Sequence, residues 1–163
     1  MRYKQILEND TEHQQALQDT GFWGRAGAGC IFIAKNTGRI LLNHRSQYVE
    51  QPNTWGVWGG AIDSNESPIQ AVKRESQEES GYMPDNSNII PIYVFHDENS
   101  GFKYYNFIVL TPDEFTPNIP ANSQWETQGW KWVDFGNWPS PLHFGVKAIL
   151  NDPDSVSIIK KFI

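Results

Sequence analysis

The sequence has 163 residues and a formal net charge of −6, which argues against sequence-independent binding to nucleic acid or to an anionic membrane, since both favour basic surfaces. Hydrophobic residues make up 39% and charged residues 20%, proportions typical of a single globular domain with a sizeable core. The single cysteine excludes an internal disulfide, and the absence of a signal-like or membrane-spanning apolar run predicts a soluble, cytoplasmic protein with no membrane partner.

The first half of the chain is predicted to be mostly strand. A short polar helix is predicted at residues 11–19, and the glycines that follow it end the helix. Next come two β-rich runs, "AGCIFIA" and "RILLNHR", and the turn signal "KNTGR" between them predicts a hairpin. Cys30 lies in the first run, so we expect a buried strand residue rather than a reactive thiol. The glycine-punctuated stretch "TWGVWGGAI" predicts a strand with tight turns.

The next predicted element is a helix with clear start and stop signals. Ser67 can cap it, Pro68 suits its first turn and Gln70 completes a capping box. Gly81 provides the C-terminal stop. Beyond it, "IIPIYVF" and "FKYYNFIVL" predict a second hairpin, "GWKWVDF" a further strand and "HFGVKAIL" a late helix, while the tail "SVSIIKKFI" fits either helix or strand. Strands with interspersed helices indicate an α/β or α+β fold with a mixed sheet.

Three glutamates, Glu75, Glu78 and Glu79, crowd the C-terminal half of this predicted helix. Their like charges repel at roughly 0.2–0.5 kcal/mol per pair, and the helix macrodipole disfavours anions at that end. A solvated acidic face is the plainest interpretation of such a run. A cation site is the alternative, because a hard ion such as Mg²⁺ binds clustered carboxylate oxygens and the phosphates that it chelates.

The spacing around these glutamates resembles the Nudix box, Gly-x5-Glu-x7-Arg-Glu-U-x-Glu-Glu-x-Gly-U, in which U is usually aliphatic. With residue frequencies of roughly 5–10%, chance agreement at all the fixed positions is on the order of 10⁻⁸ per starting point. The departures are Ser76 and Tyr82 at usually aliphatic positions, "DSN" where a glycine is frequent, and Trp58 where proline is frequent. The fixed positions that match are Gly60, Glu66, Arg74, Glu75, Glu78, Glu79 and Gly81.

The resemblance covers about residues 25–150 and implies a single domain over 1–163, with 1–24 as an N-terminal extension and the box at 60–82. It implies an α/β fold, an α/β/α sandwich with a mixed central β-sheet, in which the box forms a loop–helix–loop. A homodimer is compatible with the sequence, which gives no sign for or against one.

The activity that the resemblance implies is a MutT-like one. It is the Mg²⁺-dependent hydrolysis of a phosphoanhydride bond in a nucleoside diphosphate derivative, with Mn²⁺ as a possible substitute. The substrate would be a small nucleotide: a nucleotide sugar such as ADP-ribose, a dinucleoside polyphosphate or a (d)NTP. The alternative is a non-catalytic nucleotide-binding or sensor module of the same fold, although such modules typically lose glutamates of the box. An RNA 5′-end hydrolase is disfavoured by the acidic balance of the chain.

The resemblance also assigns roles within the box. Arg74 resembles the arginine that orients the acidic residues through ion pairs. Glu66 is expected to be an outer-shell or auxiliary ligand. The general base is expected to be Glu75 or Glu79, with Glu126 from a later loop as the alternative, and a plain surface glutamate is the other interpretation of Glu126. The implied metal ligands are Glu75, Glu78, Glu79 and the carbonyl of Gly60, with Glu66 nearby.

Substrate contacts are expected from aromatic and basic residues outside the acidic set. Arg45 is predicted to meet a phosphate, and an exposed arginine at a strand end is the other interpretation of equal weight. Trp58 and Tyr105 are predicted to offer stacking faces. Alternation along a strand sends Tyr104 and Tyr105 to opposite faces, so at most one of them is expected to line the site. Burial in the core is the other interpretation of each aromatic residue. The further candidates are Trp55, Phe107, His96 and His143, the last of which stands at a helix start where it can act as a cap.

Overall fold

The computed structural model describes residues 13–16, 18–19, 22 and 24–163. Residues 13–16 and 18–19 are helical, in agreement with the predicted first helix, whose residues 11, 12 and 17 lie outside the described ones. The strands are β1 (Ala26–Ala34), β2 (Ile40–Arg45), β3 (Trp55–Gly56), β4 (Trp58–Ala61), β5 (Ile89–His96), β6 (Lys103–Thr111) and β7 (Thr127–Val133). The later helices are α1 (Pro68–Ser80), α2 (Phe144–Asn151) and α3 (Pro153–Ile159), and a 3-10 turn spans Asn86–Asn88.

The described strands form one mixed sheet centred on β1. One side of β1 pairs in parallel with β6 along its whole length, and the other side is shared by β4 and β2, both antiparallel. Asn43 and His44 of β2 pair with both β3 and β7, so these two strands lie on opposite sides of β2. β5 forms the edge beyond β6. Both predicted hairpins are confirmed, since β1 pairs with β2 and β5 pairs with β6 in antiparallel register. The predicted mixed sheet is confirmed as well.

Two hydrophobic clusters lie on opposite faces of this sheet. Cys30 and Phe32 of β1 point to one face, where they belong to the same cluster as Val72 of α1. The alternating residues Ile31 and Ile33 point to the other face, where α2 and α3 supply their buried residues. This alternation follows from the two-residue period of a strand and produces the α/β/α sandwich. Cys30 is buried, as predicted.

The ends of α1 are fixed by local hydrogen bonds. The Ser67 hydroxyl accepts the N–H of Gln70, and the Gln70 side chain accepts the N–H of Ser67, which confirms the predicted capping box. At the other end Gly81 has φ +79°, a left-handed conformation suited to glycine, and its N–H donates to Gln77 O. The caps therefore determine where along the sheet the acidic residues of α1 stand.

Two departures from the usual box pattern compensate for each other. Ser76 is buried under α1, and its hydroxyl donates to the backbone carbonyl of Tyr82 at 2.5 Å. The Tyr82 ring stacks on Phe115 with centroids 4.8 Å apart and meets Phe32 edge-on. The serine therefore satisfies its polar group while the tyrosine supplies apolar contact beyond the helix end.

The tail that fitted either helix or strand forms α3. Asp152 caps it by accepting the N–H of Ser155, and Pro153 occupies its first turn. Ile159 from this helix is buried against the sheet. None of the helices in the described part of the chain is both long and apolar enough to cross a membrane.

His143 is the N-cap of α2. Its Nδ1 accepts the N–H of Gly145 at 3.0 Å, which requires that nitrogen to be unprotonated. Burial, and secondarily the positive charge of Arg45, lower the pKa of His143 to about 4. The neutral form is therefore the form that the folded protein holds.

We expect a pH-dependent stability that originates at His143. Between pH 6.5 and 4 the unfolded chain binds a proton at His143 that the folded chain does not, so the free energy of unfolding falls as the pH is lowered through this range. The loss is about 2 kcal/mol at pH 4.5. His143→Asn keeps a capping group that does not titrate, so the variant should lack this part of the loss. Urea unfolding of both proteins at pH 7 and pH 4.5 measures the difference, and identical pH dependence would refute the assignment.

Candidate functional site

Arg74 is the central cation of the acidic helix α1. Its Nε and Nη2 donate to the two carboxylate oxygens of Glu66 at 2.8 and 2.9 Å, a bidentate pair. Nη1 donates to Glu75 at 2.8 Å and to Glu78 at 3.2 Å, and Nη2 also donates to the carbonyl of Ala61 at 3.0 Å. Although burial opposes the charge, the hydrogen bond with Glu66 and the charge of Glu75 raise the pKa of Arg74. One guanidinium thus connects three of the acidic residues.

Glu66 is committed to this arginine. Both of its oxygens accept from Arg74, and Oε1 also accepts the backbone N–H of Asp63 at 3.0 Å. Burial raises the pKa of Glu66, but the bonds from Arg74 and Asp63 outweigh it, so the pKa lies below its usual range. Of the two predicted roles for Glu66, this geometry favours an outer-shell role over that of a direct ligand.

Glu79 is buried, and Glu75, one turn before it on α1, is largely shielded from solvent. Only 13% of the Glu75 side chain is exposed, and Glu79 is 8% exposed. Burial raises the pKa of Glu75 to about 7, against the opposing charge of Arg74. Burial and then the charge of Glu75 raise the pKa of Glu79 well above its usual range, although its Oε2 accepts the N–H of Gly59 at 2.9 Å. The charge of Glu75 thus adds to the effect of burial on the pKa of Glu79.

The glycines of β4 allow the helix and the strand to approach each other. A Cβ on Gly60 would lie 2.8 Å from Oε1 of Glu75. The carboxylate therefore lies against the backbone of Gly60, whose carbonyl is a predicted ligand. Gly59 directs its N–H to Glu79.

Tyr104, rather than the predicted Tyr105, is the tyrosine beside Glu75 and Glu79. Its ring covers Gly27 and its hydroxyl lies against Gly29, so that a Cβ on either glycine would collide with it. Burial and then the charge of Glu79 raise the pKa of Tyr104, which keeps the phenol neutral. Tyr105 points to the other face of the sheet from Tyr104, where it packs against the cluster that includes Val72 of α1, as strand alternation predicted for the pair.

Arg45 at the end of β2 and Glu126 in the loop before β7 act electrostatically on the acidic residues. Ser46 N donates to the Glu126 carbonyl at 2.9 Å, which fastens the loop before β7 to the end of β2. Burial raises the pKa of Glu126, Arg45 opposes this, and the negative charge of Glu126 adds to the raised pKa of Glu79. The Arg45 guanidinium donates to the Glu50 carbonyl at 2.9 and 2.6 Å, which fixes its position. The structure therefore brings both predicted residues into the electrostatic neighbourhood of α1.

Most of the aromatic residues proposed as stacking faces lie elsewhere. Trp58 is 1% exposed, meets Phe32 edge-on and donates its indole N–H to a backbone carbonyl of β2. Its predicted role as a stacking face does not fit this core position. Phe107 is buried, and Trp55 is already stacked on His44 with centroids 4.2 Å apart.

An exposed tryptophan directly precedes Glu126 in the chain. Trp125 is 55% exposed, and its carbonyl accepts the hydroxyl of Ser46 at 2.6 Å. The predicted set does not include it. Its position next to Glu126 in "SQWETQ" is the sequence signal that points to it. Of the two histidines considered, His96 ends β5 and His143 caps α2.

The donor chemistry of the site fits a hard divalent cation. Within the described ranges, no three His, Cys, Asp or Glu side chains are arranged to hold one metal ion. Arg74 lies among Glu66, Glu75 and Glu78 and binds their oxygens. The balance of charge is nevertheless negative, because the box carries four glutamates beside one arginine, and Glu79 is buried. Buried carboxylates need a cation beside them, and oxygen donors suit Mg²⁺ or Mn²⁺.

Comparison with known sequences identifies the family. The sequence model of the NUDIX domain matches residues 23–151. A Mycobacterium tuberculosis (strain H37Rv) protein named "Putative 8-oxo-dGTP diphosphatase 3" is 42% identical over 143 residues, an alignment that covers 81% of this chain and 64% of that protein. A Bifidobacterium longum "Nucleoside triphosphate pyrophosphatase/Nudix hydrolase fusion protein" is 27% identical, with 72% of this chain and 25% of that protein covered. The chain spans less than two thirds of the length of these relatives.

Solved structures agree in fold. A MutT NUDIX hydrolase from Burkholderia pseudomallei has a TM-score of 0.64 at 22% identity, covering 77% of this chain and 94% of its own. The E. coli dihydroneopterin triphosphate pyrophosphohydrolase has a TM-score of 0.55 at 17% identity, covering 85% and 94%. The matched domain extends over most of the chain, and the fold and the acidic helix agree with it, so this protein belongs to the Nudix family.

Proposed function

We propose that this protein is a divalent-metal-dependent pyrophosphohydrolase that cleaves a phosphoanhydride bond in a nucleoside diphosphate derivative. The observation that carries the proposal is the complete acidic set of the box, with Glu79 buried, Glu75 largely shielded from solvent and Arg74 bonded to Glu75. Removing carboxylates from water is costly, and a bound cation offsets that cost. We also propose that 1–163 is a single domain with 1–24 as its extension, which the continuous sheet supports.

The residues divide the work of the reaction between them. A bound divalent ion, held by Glu75, Glu78, Glu79 and the Gly60 carbonyl, would supply the positive charge that neutralises the diphosphate oxygens. Mg²⁺ is the proposed ion, with Mn²⁺ as a substitute. Glu75 or Glu79 is the proposed general base, with Glu126 as the alternative. A base is most effective when its pKa lies near the working pH, and burial raises the pKa of Glu75 to about 7 and that of Glu79 well above its usual range. Arg45 is proposed to attract a substrate phosphate.

Among the three substrate classes, a nucleoside triphosphate has the strongest support. The relative with 42% identity is named for 8-oxo-dGTP, the triphosphate of an oxidised purine. Trp125 presents an exposed indole next to Glu126, and an aromatic face of this kind stacks on a planar base. We therefore propose a purine (d)NTP, with ADP-ribose and dinucleoside polyphosphates as the competing substrates.

A substrate panel with Mg²⁺ is expected to show turnover that depends on Glu79. Release of phosphate or pyrophosphate is measured with 8-oxo-dGTP, dGTP, ADP-ribose and diadenosine tetraphosphate, with and without added phosphatase. Glu79→Gln should lower kcat by about 10²–10⁴-fold, the usual contribution of a general base. Glu98→Gln, an exposed position in the turn between β5 and β6, is the matched control and should behave as wild type.

Two outcomes of the panel would contradict the proposal. Equal turnover by wild type and Glu79→Gln removes Glu79 from the reaction. An absence of turnover with every substrate, combined with tight binding of one nucleotide, instead identifies a nucleotide-binding module.

Arg74→Lys is expected to impair both activity and stability. Lysine keeps the charge but cannot hold Glu66 by two parallel bonds while also reaching Glu75 and the Ala61 carbonyl. We expect kcat to fall at least tenfold and the free energy of unfolding to fall by about 1–3 kcal/mol. Steady-state kinetics and urea unfolding measure the two effects. Arg39→Lys is the control, since Arg39 pairs with Glu114 away from this helix, and equal kinetic effects of the two substitutions would refute the special role of Arg74.

Glu126→Gln separates the two candidate positions of the general base. Glu126 influences Glu79 through its charge, and no hydrogen bond joins the two carboxyl groups among the described contacts. We therefore expect kcat to fall by about tenfold, well short of the loss expected for Glu79→Gln. A loss as large as that of Glu79→Gln, with KM unchanged, would move the proton acceptor to Glu126.

A further inference from the structure

The helical segment that precedes the matched domain packs against the body of the protein. The Nudix match begins at residue 23, whereas the described helical residues are 13–16 and 18–19. Ala16 is fully buried and His13 is only 7% exposed. Phe22 stacks on Phe102 with centroids 4.3 Å apart and planes 6° apart. This segment is therefore held at a defined place on the protein.

His13 directs its imidazole into the loop of the box. Its Nε2 lies 3.4 Å from Oδ1 of Asp63. A carboxylate only accepts hydrogen bonds, so the proton of this contact is on the histidine. Gly24 leaves room for the ring, since a Cβ there would lie 3.3 Å from Nδ1 of His13, and the φ of +80° at Gly24 also suits glycine.

Asp63 stands between this histidine and the central arginine. Its Oδ2 lies 3.4 Å from Nε of Arg74, and the same Nε lies 2.8 Å from Oε2 of Glu66. Asp63 and Glu66 are thus competing acceptors for one N–H of the guanidinium. His13 contacts the other oxygen of Asp63. This contact opposes a movement of Asp63 that would displace Glu66 from Nε of Arg74.

We propose that His13 is a positioning residue of the active site, which restrains Asp63 so that Arg74 stays bonded to Glu66 and keeps Glu75 and Glu78 in place. Through this chain of contacts the N-terminal segment acts on the acidic helix without touching substrate. The catalytic consequence rests on the proposed hydrolase function. The structural consequence, a change in the environment of the Arg74 guanidinium, is independent of that function.

The test measures the Arg74 Nε–H signal by ¹⁵N NMR in the metal-free protein, assigned by its loss in Arg74→Lys. His13→Leu has a comparable volume and no donor, and we expect it to shift this signal. It should also lower kcat about three- to tenfold with little change in KM. His13→Gln retains an N–H donor and should restore both readouts towards wild type. Gln14→Ala, an exposed change in the same segment, is the control and should alter neither.

A double substitution distinguishes positioning from a general effect on folding. Asp63→Asn removes the competing charge, so adding His13→Leu to it should produce no further shift of the Arg74 signal and no further loss of kcat. An unchanged Arg74 signal in His13→Leu, or an equal additional loss in the Asp63→Asn background, would overturn the inference. If wild type hydrolyses nothing in the panel, the hydrolase proposal fails, and the NMR comparison still decides the role of His13.

Discussion

The excess of buried negative charge along α1 is the constraint on which the rest of the site depends. A carboxylate removed from water is destabilised unless a cation or several donors accompany it. Here Glu75 and Glu79 are both desolvated, and the guanidinium of Arg74 forms hydrogen bonds with three carboxylates and lies within ion-pair distance of a fourth, that of Asp63. The raised pKa values of Glu75 and Glu79 reflect this shortage of positive charge. A second cation would supply the missing positive charge, and the diphosphate of a nucleotide would bind to that cation.

The fold holds this unfavourable arrangement by fixing the backbone around it. The capping box at Ser67 and the left-handed Gly81 define both ends of α1, so its backbone stays helical through the repelling glutamates. Gly59 and Gly60 in β4 bring the strand close enough for a backbone N–H to bind Glu79 and for Glu75 to lie against the chain. Local hydrogen bonds and close backbone approach thus oppose a repulsion of a few tenths of a kcal/mol per pair.

Prediction from the sequence succeeded where the signal was local and lost precision where it depended on distant contacts. The caps of α1 and both hairpins were predictable because turn and cap residues act on their own neighbours. Strand alternation indicated that Tyr104 and Tyr105 lie on opposite faces of the sheet. Only the packed sheet decides which of the two tyrosines lies closer to the carboxylates. Trp58 could have faced either way for the same reason. The contact of His13 joins residues 50 positions apart and leaves no mark on either stretch of sequence.

The division of bonds on Arg74 explains how the same arginine can serve with and without a bound ion. Nε and Nη2 are engaged by Glu66 and by the Ala61 carbonyl, both of which belong to the loop and strand that precede the helix. Only Nη1 reaches Glu75 and Glu78. Those two carboxylates can therefore turn towards another cation while the guanidinium keeps its anchoring bonds. Arg74 is anchored through Nε and Nη2 and shares only Nη1 with Glu75 and Glu78. It therefore keeps the charges in place while the oxygens of these glutamates stay available to a metal ion.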